Sequence, residues 1–405
     1  MEKFQIPLLI DHHLHPYMYA ALKDCIDLRF VQKKEEALSI LKNGNKDDIN
    51  VAIGWNNSLY SFTDEEIDPV PPSFILNASL HSYTMNKPAV DILRDKSKEI
   101  VDHLGDREWA ERNFHVVVEF AERLNPCTLE KLKDYYNDLL KQGVWFAEEM
   151  LLIHEDEIGL FKEAGLIDRT RFWVDISTYK TLSKDAQKHI HGIKIFTDGA
   201  FGSKTANIKT PFLTGEKGIQ VFSNDELRQK IADVAELGIA VAIHAIGDGA
   251  VDQVIGILSD LKEDIKSIPE IRIEHSQLIT RVKAERAKEL CVTLSMQPNF
   301  NVDSLFYTDR LPEKYIRQNN PFRMLIDDIG FVPGKDLIFG SDGMPYGIDD
   351  SLKCSLFPPN PSQKLTLDEY IAGYCMPDME NGYIEVEIDE ERQEINTEVV
   401  VKDKD

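Results

Sequence analysis

The stretch Pro-Leu-Leu-Ile-Asp-His-His-Leu-His-Pro at residues 7–16 decides the fold. A short apolar run, typical of a buried β-strand, leads directly into His13 and His15, at positions i and i+2. On an extended chain these two side chains point to the same side, so both can reach one metal ion. Ligands at the end of a strand are typical of an eight-stranded α/β barrel, which has its active site at the carboxyl ends of its strands.

Four further potential metal ligands also follow or end apolar runs. They are Lys194, His244, His275 and Asp342. Their spacing matches βα units of about 30 to 50 residues, the length expected when roughly 250 to 400 residues make eight units. The spacing therefore places the first three at the ends of the fourth to sixth strands, and Asp342 at the end of the eighth.

Apolar runs alternate with amphipathic helical stretches along the chain, which favours repeated βα units and a parallel sheet. An open doubly wound sheet also fits this alternation. We predict an α/β fold of the (β/α)8 TIM barrel type, whose eight strands are Pro7–Asp11, Gly143–Glu148, Arg171–Ile176, Gly192–Phe196, Ile239–His244, Ile271–His275, Val292–Gln297 and Leu337–Ser341.

The predicted barrel domain spans residues 1–380 and contains an insertion at about 17–142, between the first two strands. We expect this insertion, which contains the strand-like runs Asn50–Trp55 and Phe74–Ala78, to lie over the barrel mouth. Residues 381–405 alternate apolar and charged side chains, which predicts a β-hairpin with one dry face.

Composition narrows the class of partner. The chain of 405 residues has 46 basic and 70 acidic residues and a net charge of −24, which argues against nucleic acid and favours a small-molecule substrate. Five scattered cysteines, without a Cys-x-x-Cys pair, indicate neither a disulfide framework nor a thiolate zinc site. The start of the chain does not resemble a secretory signal and no run of 18 apolar residues occurs, so we expect a cytoplasmic protein without a membrane span.

The six candidate ligands suit a divalent metal. Imidazoles and a carboxylate are typical Zn²⁺ ligands, and zinc lowers the pKa of a coordinated water toward about 7. Asp342 could both ligate and act as general base. Lys194 can join such a site only when it is neutral or modified, for example by addition of carbon dioxide to give a carbamate with two oxygens. We therefore expect one or two ions, with Lys194 N-carboxylated in the two-metal case.

Six motifs together resemble the amidohydrolase superfamily, specifically the YtcJ-like branch of amidohydrolase family 3, which is related to N-substituted formamide deformylases. The motifs are Asp-His-His-Leu-His-Pro (11–16), Gly-Ile-Lys-Ile-Phe-Thr-Asp-Gly-Ala-Phe-Gly-Ser-Lys-Thr-Ala (192–206), Ala-Ile-His-Ala-Ile-Gly-Asp-Gly-Ala-Val (242–251), Arg-Ile-Glu-His-Ser-Gln (272–277), Met-Gln-Pro-Asn (296–299) and Phe-Gly-Ser-Asp (339–342). The resemblance implies a metal-dependent hydrolase of C–N bonds. It implies His13 and His15 on one metal, His244 and His275 on the second, carboxylated Lys194 as the bridge, and Asp342 as ligand and general base.

The resemblance also implies that His81 projects from the insertion into the substrate pocket. In such relatives a small β domain starts before the barrel, whereas here the histidine pair comes at residue 13. The resemblance thus implies that the C-terminal hairpin is a reduced remnant of that domain, and an open sheet edge there suggests a homodimer.

Three further residues, Glu148, Asp198 and Gln297, follow or end predicted strands and are candidates for the substrate pocket. Glu148 or its neighbour Glu149 would recognise an amine-bearing substrate, or would be a solvated charge at a strand end. Asp198 and Gln297 would either line the pocket or stabilise loops.

We predict a hydrolase that uses metal-activated water to cleave an amide or formamide bond of a small molecule. Two alternatives remain open at this point. One is an ester or lactone hydrolase, or a deaminase, on the same scaffold, because specificity lies in the insertion and loops. The other is a relative that binds a ligand without turnover.

Overall fold

The computed structural model describes residues 2–56 and 59–402. Among these residues, fifteen strands occur: β1 Glu2–Pro7, β2 Leu9–Leu14, β3 Ile26–Asp27, β4 Asn50–Trp55, β5 Ser73–Asn77, β6 Tyr83–Met85, β7 Val144–Leu152, β8 Thr170–Val174, β9 Ile190–Phe196, β10 Ala240–Ala245, β11 Ile271–His275, β12 Thr293–Met296, β13 Leu337–Phe339, β14 Gly382–Asp389 and β15 Glu394–Val401.

The α-helices of the described residues, in chain order, are α1 Pro16–Ala21, α2 Lys34–Leu41, α3 Asp64–Ile67, α4 Lys87–Leu93, α5 Lys98–Asp102, α6 Arg107–Arg112, α7 Phe114–Leu124, α8 Leu129–Lys141, α9 Glu155–Ala164, α10 Ile176–Thr181, α11 Asn224–Leu237, α12 Asp248–Asp260, α13 Arg281–Glu289, α14 Asp303–Phe306, α15 Glu313–Gln318, α16 Ile348–Leu356 and α17 Leu367–Tyr374.

Eight parallel strands form the central sheet, in the order β13-β12-β11-β10-β9-β8-β7-β2. These are the eight predicted strands, and the (β/α)8 barrel prediction is confirmed. Strand boundaries differ from the predicted ones by a few residues. The third predicted strand, for example, ends before Ile176, because the Asp175 side chain accepts from the amides of Ser177 and Thr178 and so caps α10.

The first and last barrel strands meet through a small set of polar contacts. The Asp11 carboxylate accepts from the backbone amide of Ser341 at 2.8 Å and also from its hydroxyl. The amide of Asp342 donates to the carbonyl of His13 at 2.7 Å. Gly340 permits this approach, because a Cβ there would lie 2.4 Å from the His13 nitrogen. The contacts bring β13 beside β2 and leave the barrel nearly closed.

The helices outside the barrel carry clear start and stop signals. In α11, the Ser223 hydroxyl accepts from the amide of Glu226, whose carboxylate accepts from the Ser223 amide in return. Gly238 ends this helix in the left-handed conformation, which costs glycine little. Apolar side chains of the barrel helices pack on the strands in one continuous hydrophobic core.

The segment between β2 and β7 forms its own layer. Strands β3 to β6 make a four-stranded sheet in which β3, β4 and β5 are parallel and β6 is antiparallel. Helices α2 to α7 lie in the same segment, and residues of the segment form most of two separate hydrophobic clusters. Helix α8 instead packs on α1, α9 and β7 as part of the barrel core. We refer to residues 17–142 as the insertion.

A small antiparallel sheet lies at the end of the chain. Strands β14 and β15 form a hairpin, and β1 pairs with β14 on the other side, from Glu2 opposite Ile388 to Pro7 opposite Tyr383. The last three residues of the predicted hairpin range 381–405 lie outside the described residues. None of the helices in the described part of the chain is long and apolar enough to cross a membrane.

Candidate metal centre

The six candidate ligands meet at the carboxyl ends of the barrel strands. They are His13 in β2, His15 after it, Lys194 in β9, His244 in β10, His275 at the end of β11, and Asp342 after β13. All except Lys194 line one small cleft. Side-chain nitrogen and oxygen atoms of His13, His275 and Asp342 lie within 4.8 Å of one another.

His13 is held from behind by a carboxylate. Its Nδ1 lies 2.6 Å from an oxygen of Glu274, which is fully buried. Its Nε2 faces Lys194 Nζ at 3.3 Å and Asp342 Oδ1 at 3.8 Å. A carboxylate on one ring nitrogen fixes the tautomer and leaves the other nitrogen as a metal ligand.

His275 and His244 are oriented in the same way by other partners. His275 Nδ1 lies 2.7 Å from the Gln297 side-chain oxygen. His244 Nε2 lies 3.3 Å from both the Gly199 carbonyl and Asp198 Oδ1. His275 therefore presents Nε2, whereas His244 has Nδ1 free. The two rings are neighbours, with centroids 4.5 Å apart.

His15 and Asp342 complete the cluster. Nε2 of His15 lies 3.5 Å from Asp342 Oδ1, and its Nδ1 lies 3.8 Å from the buried carboxylate of Glu149. Both His275 and Asp342 have positive φ angles, 68° and 57°, so the chain turns sharply at the ends of their strands. Such strained backbone is uncommon for non-glycine residues and is often found at functional sites.

The imidazoles of the cluster are uncharged at neutral pH. Burial, reinforced by neighbouring Lys194, lowers the pKa of His15 to about 3 and that of His13 well below its usual value. Burial also lowers the pKa of His244 and of His275. A neutral imidazole has a lone pair to donate to a metal, whereas an imidazolium does not.

Burial acts on the remaining two ligands in opposite directions. It lowers the pKa of the Lys194 ammonium to about 8 and raises the pKa of Asp342 to about 7. Both shifts have the same cause, because burial away from water disfavours the charged form of each group.

The residues fit a divalent cation. His13, His275 and Asp342 have ligand atoms close enough to share one ion, with His15 beside Asp342 and His244 beside His275. Partners hold the far ring nitrogens of His13, His244 and His275. Zinc takes this kind of donor set, and its histidine ligands usually have such outer partners. The cluster therefore offers metal ligands together with a carboxylate for proton transfer.

His81 reaches the cleft from the insertion. Its Nδ1 lies 2.7 Å from a Glu111 oxygen, its ring stacks on Phe114 at 4.7 Å, and its centroid is 6.0 Å from that of His244. Burial opposes the positive charge of His81, but Glu111 and Asp342 raise its pKa above the usual value. The other Glu111 oxygen is buried and makes no hydrogen bond with the described residues. His81 thus lines the cleft together with the candidate ligands.

Glu148 is not in the cleft, contrary to the prediction. It is fully buried inside the barrel, where its carboxylate accepts from Arg272 at 2.6 Å, from Arg171 at 2.7 Å and from the Trp173 indole at 2.7 Å, and lies 2.8 Å from His12 Nδ1. This ion pairing holds the pKa of Glu148 well below its usual range despite burial. With its oxygens occupied by these donors, Glu148 stabilises the barrel interior.

Asp198 and Gln297 are also structural supports and do not line the cleft. Asp198 accepts from the amides of Ile246, Gly247 and Asn207, and so ties the loops after β9 and β10 together while it faces His244. Gln297 is fully buried and binds His275. Both follow strand ends as predicted, but each acts on the cleft through a histidine.

Sequence reasoning missed three residues of the site. Glu274 holds His13, Glu111 holds His81, and Asp11 closes the barrel beside the histidine pair. Glu274 comes directly before His275, and Asp11 lies two residues before His13. Both belong to the motifs given above, so their positions in the sequence could have indicated them. Glu111 lies in a helix of the insertion, 30 residues after its partner, where no local pattern marks it.

A model of the amidohydrolase family matches residues 3–351. The chain therefore belongs to the amidohydrolase family. Its relatives are distant. The chain is similar to the putative amidohydrolase YtcJ of Bacillus subtilis, at 22% identity over 79% of this chain and 67% of that protein. It is also similar to the protein LONG AFTER FAR-RED 3 of Arabidopsis thaliana, at 24% identity over 74% of this chain and 60% of the relative.

An N-substituted formamide deformylase of Arthrobacter pascens matches at 21% identity, over 58% of this chain and 49% of its own length. The chain thus spans about half to two thirds of these relatives.

Among solved structures, an uncharacterised metal-dependent hydrolase from Pyrococcus furiosus superposes with a TM-score of 0.64 at 25% identity, over 91% of this chain and 80% of that one. A Pyrococcus horikoshii counterpart has the same TM-score at 24% identity, over 87% of this chain and 74% of that one, and shows the same fold. Family and fold together support a hydrolase that depends on a divalent metal.

Proposed function

We propose that this protein hydrolyses a C–N bond, of amide or formamide type, in a small molecule. The observation that carries the proposal is the meeting of four neutral imidazoles, Lys194 and Asp342 at the carboxyl ends of the barrel strands. A relative named N-substituted formamide deformylase, which matches this chain over part of its length, supports the choice of bond.

We propose that His13, His15, His244, His275 and Asp342 hold the ion, which is Zn²⁺ in this proposal. Bound there, a divalent cation would supply Lewis acidity, which activates water as a nucleophile and polarises a carbonyl group. Lys194 supports a second ion if it is N-carboxylated. Its lowered pKa, about 8, gives it a neutral fraction at physiological pH that can add carbon dioxide.

The protein's own groups would handle the proton. The Asp342 carboxylate is the general base that accepts a proton from the attacking water, and the resulting acid returns it to the departing nitrogen. A carboxyl group within hydrogen-bond reach of the water and of the departing nitrogen can play both roles. His81, held by Glu111, would donate a hydrogen bond from Nε2 to the substrate carbonyl oxygen.

The proposal can be tested by metal content and hydrolysis measured together. Elemental analysis of protein purified without chelator should find one or two zinc equivalents, and His13→Ala and His275→Ala should lose them. His103→Ala is the matched control, because His103 is half-exposed on the insertion, where it stacks on Trp109. It should bind as much metal as the wild type.

Hydrolysis should be followed on N-formyl and N-acyl amines beside the corresponding esters. We expect release of amine by the wild type and a fall in kcat of at least about a hundredfold in Asp342→Asn, the size of a lost general base. Protein that folds but holds no metal and releases no amine would instead be a ligand-binding relative. Faster cleavage of the esters would contradict the proposed C–N bond but would still agree with a hydrolase.

A further inference from the structure

A second pocket, of about 270 Å³, adjoins the metal cleft. Tyr19, Leu80 and Met344 line both spaces. The cleft itself is small and is surrounded by histidines and Asp342, so it has room for the reacting group of a substrate and little more. The remainder of a larger substrate must lie in a neighbouring space, and this pocket shares three lining residues with the cleft.

The pocket lies between two sets of strand ends. On one side are residues near the carboxyl ends of the parallel strands of the insertion: Phe30 after β3, Ile53 within β4 and Ala78 after β5. On the other side is the loop after the last barrel strand, 343–345. Crevices outside the carboxyl ends of parallel strands are where α/β proteins bind ligands. The insertion therefore supplies half of a binding site and the barrel supplies the other half.

The lining is apolar, and its polar groups are already engaged. The Tyr19 hydroxyl donates to the Asp342 carbonyl at 2.9 Å. Arg29, the charged residue of the described lining, donates to the Asp27 carboxylate at 3.0 Å and 2.7 Å. A charged ligand group would have to enter without a free counter-charge, which is costly in an apolar space. The chemistry of the lining thus selects a neutral, apolar group.

Part of this apolar surface is exposed to solvent. The Phe30 side chain is 87% exposed at the rim, and Ala78 is also exposed. A single exposed phenylalanine is ordinary on a protein surface. Here the exposed ring borders an apolar pocket, so a ligand that enters would remove both from water, which is favourable in proportion to the area buried.

We propose that this pocket binds a neutral apolar substituent of the substrate, of the size of a butyl or benzyl group, while the scissile bond lies in the cleft. The volume is slightly below the 300 Å³ or so at which pockets for whole small ligands begin, which fits one substituent and not an entire large molecule. This inference rests on the proposed function and adds the substrate class to it.

The test uses compounds that bind without turnover. N-methyl-, N-butyl- and N-benzylmethanesulfonamide are neutral and resist hydrolysis, and their dissociation constants can be measured by calorimetry on the protein as purified. Each buried methylene contributes a roughly fourfold gain in affinity at most, so the butyl compound should bind at least about tenfold more tightly than the methyl compound. The benzyl compound should show a similar gain.

Two pairs of variants locate the effect. Ala78→Phe fills the pocket from an exposed position and should abolish the gain for butyl and benzyl, whereas Ala78→Ser, the matched control, should retain it. Phe30→Ala should reduce the gain several-fold, whereas Phe306→Ala, which truncates another exposed phenylalanine outside both pockets, should leave it unchanged.

The outcomes separate this inference from the proposed function. Equal affinity for the three compounds in the wild type would overturn the apolar pocket, even if N-alkylformamides are hydrolysed. An equal loss of affinity for all three compounds in Ala78→Phe would overturn it as well. A clear gain in affinity from the methyl to the butyl compound, without any hydrolysis of the corresponding N-alkylformamides, would support the apolar pocket and contradict the proposed hydrolase activity.

Discussion

Glu274 shows how a single buried carboxylate positions a candidate metal ligand, His13. It accepts from Arg272 Nε at 2.8 Å with one oxygen and lies 2.6 Å from His13 Nδ1 with the other. The arginine keeps this carboxylate in place, and the carboxylate fixes the ring so that Nε2 faces the cleft. Outer partners of this kind typically change metal affinity by about 10- to 100-fold when they are removed.

Glu274→Gln should therefore weaken zinc binding by about 10- to 100-fold, measured by competition with a chelator of known affinity. Glu270→Gln is the matched control, because Glu270 also binds a histidine, His191, at 2.8 Å, just before β11 at the opposite end of the barrel. The control should bind zinc as the wild type does. Equal weakening in both variants would mean that lost barrel stability, and not ligand orientation, causes the effect.

The contact between Glu111 and His81 leads to a second prediction, which concerns activity. Glu111→Gln removes the charge that orients His81, and we expect kcat to fall about 10- to 100-fold with unchanged zinc content. Glu108→Gln, on the same helix but exposed and paired with Arg112, should change neither. Loss of zinc in Glu111→Gln would show that the pair supports the metal ligands instead of the substrate.

At the scale of residues, the sequence indicated the residues of the cleft better than the partners that hold them. A cleft residue such as His275 ends an apolar run, so periodicity and strand ends reveal it. A partner such as Glu111 is chosen by a contact between distant segments, which no local pattern encodes. The error at Glu148 has the same origin, because only the fold shows that Arg272, 124 residues away, neutralises it inside the barrel.

Among the elements, the contact between the ends of β2 and β13 brings the barrel close to closure beside the histidine pair. Burial raises the pKa of Asp11 to about 7, although hydrogen bonds from Ser341 and His13 lower it in part. Ser341 thus stabilises a carboxylate that would otherwise be costly to bury. Its hydroxyl joins the ends of the first and last barrel strands, β2 and β13, which are the barrel strands most distant in sequence.

Ser341→Ala should lower the free energy of unfolding by about 1 to 3 kcal/mol, the usual cost of leaving a buried acceptor without its donor. Urea denaturation measures this value. The control is Ser355→Ala, a buried serine whose hydroxyl binds the Ser351 carbonyl of its own helix. We expect it to cost less than about 1 kcal/mol, since no charged group loses a partner. Equal losses would argue against a special contribution of the strand contact.

The order of the barrel strands could be predicted from sequence because each βα unit repeats one pattern. Within the insertion, the two predicted strand-like runs correspond to β4 and β5, but the pairing of its sheet could not be predicted. The sheet combines two short parallel pairs with one antiparallel pair, and β3 has two residues, too few to give a periodic signal. The pocket at the ends of those strands therefore could not be foreseen.

At the scale of the whole molecule, two buried carboxyl groups, one on the insertion and one on a barrel helix, lie close enough to affect each other's charge. Glu122 belongs to α7 of the insertion and Glu157 to α9 of the barrel, and both are almost fully buried. Burial and then Glu149 raise the pKa of Glu122 well above its usual value, and burial and then Glu122 do so for Glu157. Glu157 accepts from the amides of Ile153 and His154, whereas Glu122 has no hydrogen bond with the described residues.

This pair makes the stability of the protein depend on pH. A carboxyl whose pKa is higher in the folded state binds its proton more tightly there, so the folded state carries more protons above the unfolded pKa of about 4.3. Stability from this pair is therefore fully present below that pH and is lost as the pH rises through the raised pKa values.

Glu122→Gln removes one of the two charges, so the variant should gain stability over the wild type as the pH rises from 5 to 8. Urea denaturation at both pH values, at equal metal content, measures the gain as a difference in which the effects of the buried histidines cancel. Glu163→Gln, an exposed carboxylate on α9, should show the same difference from the wild type at pH 5 and at pH 8. A pH-independent difference for Glu122→Gln would mean that the insertion docks on the barrel with both carboxyl groups ionised.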